Sequence, residues 1–359
     1  MTCRVVEGVV GGGIRAITIE NNVLSATLLP DKGADVYSLM HRASGIDVLL
    51  KAPWGLRRPG SGFAPAPDSE VAWLEHYEGG WQVLFPNGGN ACVYKGVELP
   101  FHGEASSVPW DVTGIDSSPD SVWVSLSARL ARSPFRIERT LSVRGEAPIL
   151  TVEERVVNEG AESMAAMWSH HPAFGAPFLS SSCIIDTGAR SVVADETYDT
   201  AGGRIRPGGR WLWPDVESRG GGRVDLRQVP ERGDMLAYLC DFEDGWFAIT
   251  NPELGFGVAM VWPAGVFPYA WLWQELRSSL EFPWFGTAYT IAVEPASSIP
   301  GTGLVSVMAK TGSHLTLEPG ETRTMTLRAV LYTSGNARGV RHVAPDGTVS
   351  LLTETGQAE

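Results

Sequence analysis

Ser121-Val-Trp-Val-Ser-Leu-Ser-Ala-Arg-Leu130 sets Val122, Val124, Leu126, Ala128 and Leu130 at every second position, with largely polar residues between them. Successive side chains of a strand point to opposite faces, so this is a strand with one buried face. Phe135 to Arg144 and Pro148 to Asn158 repeat the pattern, joined through Gly145-Glu146-Ala147-Pro148. Near the C-terminus Met325, Leu327, Ala329 and Leu331 alternate with Thr324, Thr326, Arg328 and Val330. They follow a turn at Glu318-Pro319-Gly320-Glu321, which predicts a final hairpin. Working outward, Arg15 to Pro30 reads as two β-prone runs around Asn21-Asn22, and strands follow at 35–40, 46–50, 235–241, 246–251 and 256–263.

Residues 53 to 67 are too rich in Pro and Gly for a sheet or helix and predict a long loop that helps wall a pocket. Glu70 to Tyr77 predicts one short helix, and the Gly/Arg-rich run at 201–223 an exposed loop. Many short strands with almost no helix predict an all-β fold, a large antiparallel β-sandwich or barrel with few short helices. No charge-rich linker interrupts the 359 residues, so they read as one domain, with 334–359 as a C-terminal tail.

The net charge of −13 lacks the clustered Lys and Arg that nucleic acid or an anionic membrane would demand, and a small molecule is the expected partner. Thirteen tryptophans favour a ligand with flat or ring-shaped faces, sugars included. Cys3, Cys92, Cys183 and Cys240 lie far apart with no C-x-x-C pair, which predicts neither a zinc site nor a redox couple. No glycine-rich phosphate loop or cofactor motif is present. The N-terminus shows no apolar signal region and no stretch has the apolar length of a membrane span, so the cytoplasm is the expected compartment. Oligomeric state is not legible.

Three ionisable clusters sit in Gly- and Pro-shaped surroundings: His102 in Leu99-Pro-Phe-His-Gly-Glu-Ala105, His170-His171 in Trp168-Ser-His-His-Pro-Ala-Phe-Gly175, and Glu294 in Tyr289-Thr-Ile-Ala-Val-Glu-Pro-Ala296. Imidazole moves protons near neutrality, and a carboxylate at the end of an apolar strand is partly desolvated, which raises its pKa toward the range of a useful base. In a strand His170 and His171 face opposite ways, so one pocket receives only one of them, taken to be His171. Tyr269-Ala-Trp-Leu-Trp-Gln-Glu275 offers an aromatic platform, with Trp271 and Trp273 on one face and Gln274 on the other.

In their order, Lys32-Gly33-Ala34, Phe85-Pro86-Asn87, His102-Gly103, His171-Pro-Ala-Phe174 and Glu294-Pro295 resemble the motifs of the galactose mutarotase-like family, the aldose 1-epimerases, over about residues 15–333. The resemblance implies a β-sandwich with a concave sugar-binding face and cofactor-free, metal-free interconversion of α and β anomers. It makes Glu294 the base, His171 the acid and His102 the second active-site histidine. The family's sugar-binding arginine is missing from Asn87-Gly88-Gly89-Asn90, and its aspartate is matched by Asp241, Asp244 or Glu275 without a choice among them. The expected substrate-binding set is Asn87, Asn90, Trp81, Trp273, Gln274 and Asp241, with Trp54 a further candidate. Two other readings use the same fold: a sugar-binding or regulatory module without turnover, and acid–base chemistry on a modified sugar, such as an elimination.

Overall fold

The computed structural model describes residues 3–58, 60 and 65–352. Part of the long loop expected at 53–67 and the last residues of the expected C-terminal tail lie outside the described residues. Two antiparallel sheets dominate. A front sheet of twelve strands runs in the order Arg4–Val10, Ile14–Glu20, Leu24–Leu29, Asp35–His41, Trp81–Leu84, Ser169–Gly175, Tyr289–Ala296, Tyr269–Leu276, Gly233–Cys240, Ser191–Ala194 and Arg210–Leu212, with Ile46–Asp47 paired to Asp35–His41. A back sheet of eight runs Ile184–Thr187, Gly245–Asn251, Phe256–Trp262, Thr322–Thr333, Ile149–Asn158, Phe135–Arg144, Ser121–Arg129 and Asp111–Ser117. The β-sandwich expected from the alternation is therefore present, and Val122, Val124, Leu126 and Ala128 are buried along one face of their strand.

The core between the sheets is one continuous apolar cluster that also encloses a polar network. Arg139 Nε lies 2.5 Å from Glu154 Oε1, and its guanidinium donates to the Ala34 carbonyl at 2.7 Å. The Trp168 indole donates to Glu154 Oε2 at 3.1 Å, and His170 Nε2 lies 3.4 Å from the same oxygen. Arg139 holds the buried Glu154 carboxyl down at about 2 against the opposing effect of burial. The back sheet thereby grips the front sheet directly beneath the His170-His171 pair.

Two helices are described, α1 (Ser69–His76), where one was expected, and α2 (Leu304–Lys310), which was not. The α1 N-terminus is capped by Asp68, whose carboxylate accepts from Val71 N–H at 2.9 Å. No described helix is long and apolar enough to cross a membrane.

Several expectations need correction. The turn at 318–321 does not join a hairpin: Leu315–Leu317 pairs with Met164–Ala166, whereas Thr322–Thr333 enters the back sheet between Ile149–Asn158 and Phe256–Trp262. The run 201–223 is not a plain exposed loop, since Ile205 is buried and Arg210–Leu212 forms the edge of the front sheet. Residues 340–351, expected as tail, form a hairpin that buries Val340 and Val343 against Trp246 and Tyr332.

Candidate active site

Register places the chemistry. Ser169 opposes Ala296 and Ala173 opposes Ala292 on the neighbouring strand, which brackets His171 across from Glu294. Glu294 in turn opposes Trp271, and Trp271 opposes Tyr238. Gln82, His171, Glu294, Trp271 and Tyr238 thus form a row across five strands on the outer face of the front sheet. Pro172 and Pro295 beside the pair have no N–H to donate, so the ladder between the two strands is interrupted there.

His171 Nε2 lies 3.7 Å from Glu294 Oε1, and both side chains are almost fully buried. Neither makes a direct hydrogen bond to the other: His171 Nδ1 and Glu294 Oε2 are buried without a partner, as is the hydroxyl of Tyr77. Burial with no compensating charge drives His171 down to about 4 and pushes Glu294 well above the carboxylate range. Burial thus favours the neutral form of both groups.

His102 reaches the same place from a tight turn at φ +59. Its ring centroid is 5.6 Å from that of His171. The Gly89 N–H donates to its Nδ1 at 3.1 Å, so the neutral ring carries its proton on Nε2. Burial, then the neighbouring His171, lowers its pKa well below the ordinary imidazole value.

These groups line a cavity of about 430 Å³ walled by Trp73, Tyr77, Trp271, Trp273, Trp284 and Tyr198. Helix α1 contributes Glu70, Trp73, Leu74 and, just past its end, Tyr77. Their spacing of three, four and seven residues is that of a single helix face. The short helix expected at 70–77 is present, but its sequence does not say which face looks into the pocket.

Among the expected site residues, the structure brings Glu294, His171, His102, Trp273 and Asn90 to this cavity. Four others go elsewhere. Trp81 lies on the core face of the front sheet, where its indole donates to His170 Nδ1 at 3.1 Å. Gln274 points inward beside Ile291 and binds Arg204. Asn87 is fully buried and spends its amide on the carbonyls of Asn90 and Pro100 and its oxygen on Leu304 N–H, pinning α2. Asp241 is held at the far edge by Ser191 and Arg210. Each has the residue type of a sugar ligand but a backbone position that points it away. Trp54 backs the wall, its indole donating to the Tyr77 carbonyl at 2.8 Å. Glu275 accepts from Ser278 and Ser279 N–H at 2.7 and 3.0 Å, fixing the loop that carries Trp284. Among the described residues no group of three or more His, Cys, Asp or Glu converges as a metal would require.

The stacked antiparallel sheets have a galactose mutarotase-like fold. A galactose mutarotase-like protein from Clostridium acetobutylicum superposes with a TM-score of 0.66 at 16% identity, over 92% of this chain and 99% of that one. A Klebsiella pneumoniae protein provisionally named an aldose 1-epimerase gives 0.69 at 16% identity, over 92% and 83%. The Slr1438 protein from Synechocystis gives 0.64 at 16% identity, over 89% and 96%. Residues 11–205 match a family described as a domain of unknown function, DUF4432, and the chain belongs to that family. No curated protein matches it in sequence.

Proposed function

We propose that the protein is an aldose 1-epimerase-like isomerase, independent of cofactor and metal, that interconverts the α and β anomers of a sugar. The observation that carries this reading is the buried, mutually unbonded pair His171 and Glu294, 3.7 Å apart on the floor of an aromatic cavity. Opening a cyclic hemiacetal requires one proton to leave the anomeric hydroxyl and one to reach the ring oxygen, two oxygens on the same carbon. A pair sharing one proton has that inventory. The sugar's hydroxyls supply the polar partners that the pocket lacks, and in the occupied site the shared proton resides on His171. Glu294 then takes the hydroxyl proton while His171 protonates the ring oxygen, the C1–ring oxygen bond breaks, and the aldehyde forms. Rotation about the C1–C2 bond and reclosure on the other face return both protons. His102 Nε2–H, oriented by the Gly89 contact, donates to the charge developing on the ring oxygen.

Four free cysteines with no C-x-x-C pair suit a reducing compartment, and we place the activity in the cytoplasm. The sandwich acts as one unit, since its core is continuous from one sheet to the other.

Saturation-transfer NMR on a panel of aldoses tests the reading. The protein should accelerate anomer exchange, and Glu294→Gln or His171→Asn should reduce that acceleration by about 10²–10⁴-fold, the range of general acid–base catalysis. Unchanged exchange in Glu294→Gln would overturn the mechanism. Sugar binding with no acceleration in the parent protein would favour a binding module, and new ultraviolet absorbance from an unsaturated product an elimination.

A further inference from the structure

The walls and mouth of the cavity carry a charge pattern that the proposed reaction does not require. Glu70 from α1 and Glu281 from the loop after Leu276 join Glu294 in lining it, and no Lys or Arg does so among the described residues. Neither Glu70 nor Glu281 has an ion-pair partner among the described residues. Burial, and after it the neighbouring Asp68, raises the Glu70 carboxyl above its ordinary range. Aromatic rings line the same cavity. Trp73 stacks on Tyr77 at 4.7 Å, and Trp284 meets Trp273 at 5.5 Å and Tyr77 at 6.1 Å between centroids. Deeper in, the partnerless Tyr77 hydroxyl and Glu294 Oε2 show that the polar floor is also unsatisfied without an occupant.

Carboxylates interleaved with tryptophan and tyrosine faces are a cation receptor: the ring quadrupole attracts a positive charge, and the carboxylates pair with it. The same lining repels sugar acids and sugar phosphates, which need Arg or Lys. We propose that this cavity takes an amino sugar, with its ammonium group held between Glu70 and Glu281 against the tryptophan walls. This inference rests on the anomerase reading for the orientation of the ring, but its central claim is selectivity, which binding measures without turnover.

The experiment titrates the full chain by intrinsic tryptophan fluorescence with matched pairs: glucosamine and glucose, galactosamine and galactose, mannosamine and mannose, plus glucuronate and N-acetylglucosamine. In low salt at least one amino sugar should bind about tenfold more tightly than its hydroxyl partner. That corresponds to about 1.4 kcal/mol, the order of one screened ion pair with a cation–π contact. N-acetylation should abolish the advantage, and added salt should shrink it. Glu70→Gln and Glu281→Gln lie at the exposed mouth, and each should reduce the ratio of amino-sugar to neutral-sugar affinity. Equal or tighter binding of the hydroxyl sugars or of glucuronate, no response to any sugar, or a preference untouched in the double variant overturns the proposal. Anomer exchange recorded on the same samples separates the two readings: selective amino-sugar binding without acceleration sinks the isomerase and leaves this inference standing.

Discussion

At Glu294, the proposed acid–base role and stability pull in opposite directions. Burial raises its pKa, so the folded state binds a proton more tightly than the unfolded chain. A carboxyl raised in this way disfavours the folded state once pH climbs past its unfolded value near 4.5, and the loss grows until the folded pKa is passed. Glu294→Gln removes the penalty. The variant should melt higher than the parent at pH 8, and the difference should shrink toward pH 4.5; differential scanning calorimetry across that window reads it directly. A lower melting temperature for the variant at pH 8 would show that the carboxylate is compensated. His171 acts in the other sense. Held at about 4 against about 6.5 unfolded, it contributes stability that is fully present above pH 6.5 and is lost as pH falls through 4. His171→Asn should therefore flatten the acid side of the stability curve between those values. At this scale the sequence was informative about type and face. Period two separated His171 from His170, and the structure places the latter in the core against Trp81 and Glu154.

Elements decide which of several plausible side chains meet. His102 is aimed by a loop contact rather than by a strand: its own N–H donates to the Gly89 carbonyl at 2.9 Å while Gly89 N–H returns the bond to its ring. Gly89 has φ +68, and a Cβ there would lie 1.7 Å from the Gly301 carbonyl oxygen. Gly89→Ala must move one loop away from the other. It should cost about 1–3 kcal/mol of stability, as forced backbone strain does, and lower kcat more than the sugar KM, because His102 loses its aim. Chemical denaturation and steady-state kinetics read the two effects separately. Helix α1 illustrates what sequence reading misses. Its boundaries were visible from composition, but Glu70, Trp73, Leu74 and Tyr77 became pocket residues only because the helix packs over the sheet's outer face. The 318–321 turn was misread for a related reason. Turn chemistry reports a change of direction, whereas the partner of each flanking strand depends on which sheet edge is open.

Across the molecule, the Arg139–Glu154 pair with Trp168 and His170 bolts the back sheet to the strand that carries His171. A buried pair that loses one member leaves a charge without compensation, which costs about 3–5 kcal/mol. Arg139→Met should destabilise by that amount, whereas Arg139→Met with Glu154→Leu should recover most of it; guanidinium unfolding curves compare the three. A double variant as unstable as the single one would mean that the pair itself, with its bonds to Ala34 and Trp168, holds the sheets together. Glu154 also contributes acid sensitivity: its folded pKa of about 2 lies below the unfolded value, so its stabilisation is complete above about 4.5 and disappears as pH falls toward 2. The strands, the all-β class and the separation of the two histidines were legible in the linear pattern, because alternation is a local property, whereas His171 and Glu294 were put together only by the resemblance to the aldose 1-epimerase motifs. Which indoles, amides and acids line the cavity was not legible. Trp81, Gln274, Asn87 and Asp241 are chemically suited to a sugar yet point elsewhere, and Tyr77 and Glu281 point in, because cavity lining follows from strand register and loop packing between residues more than a hundred positions apart.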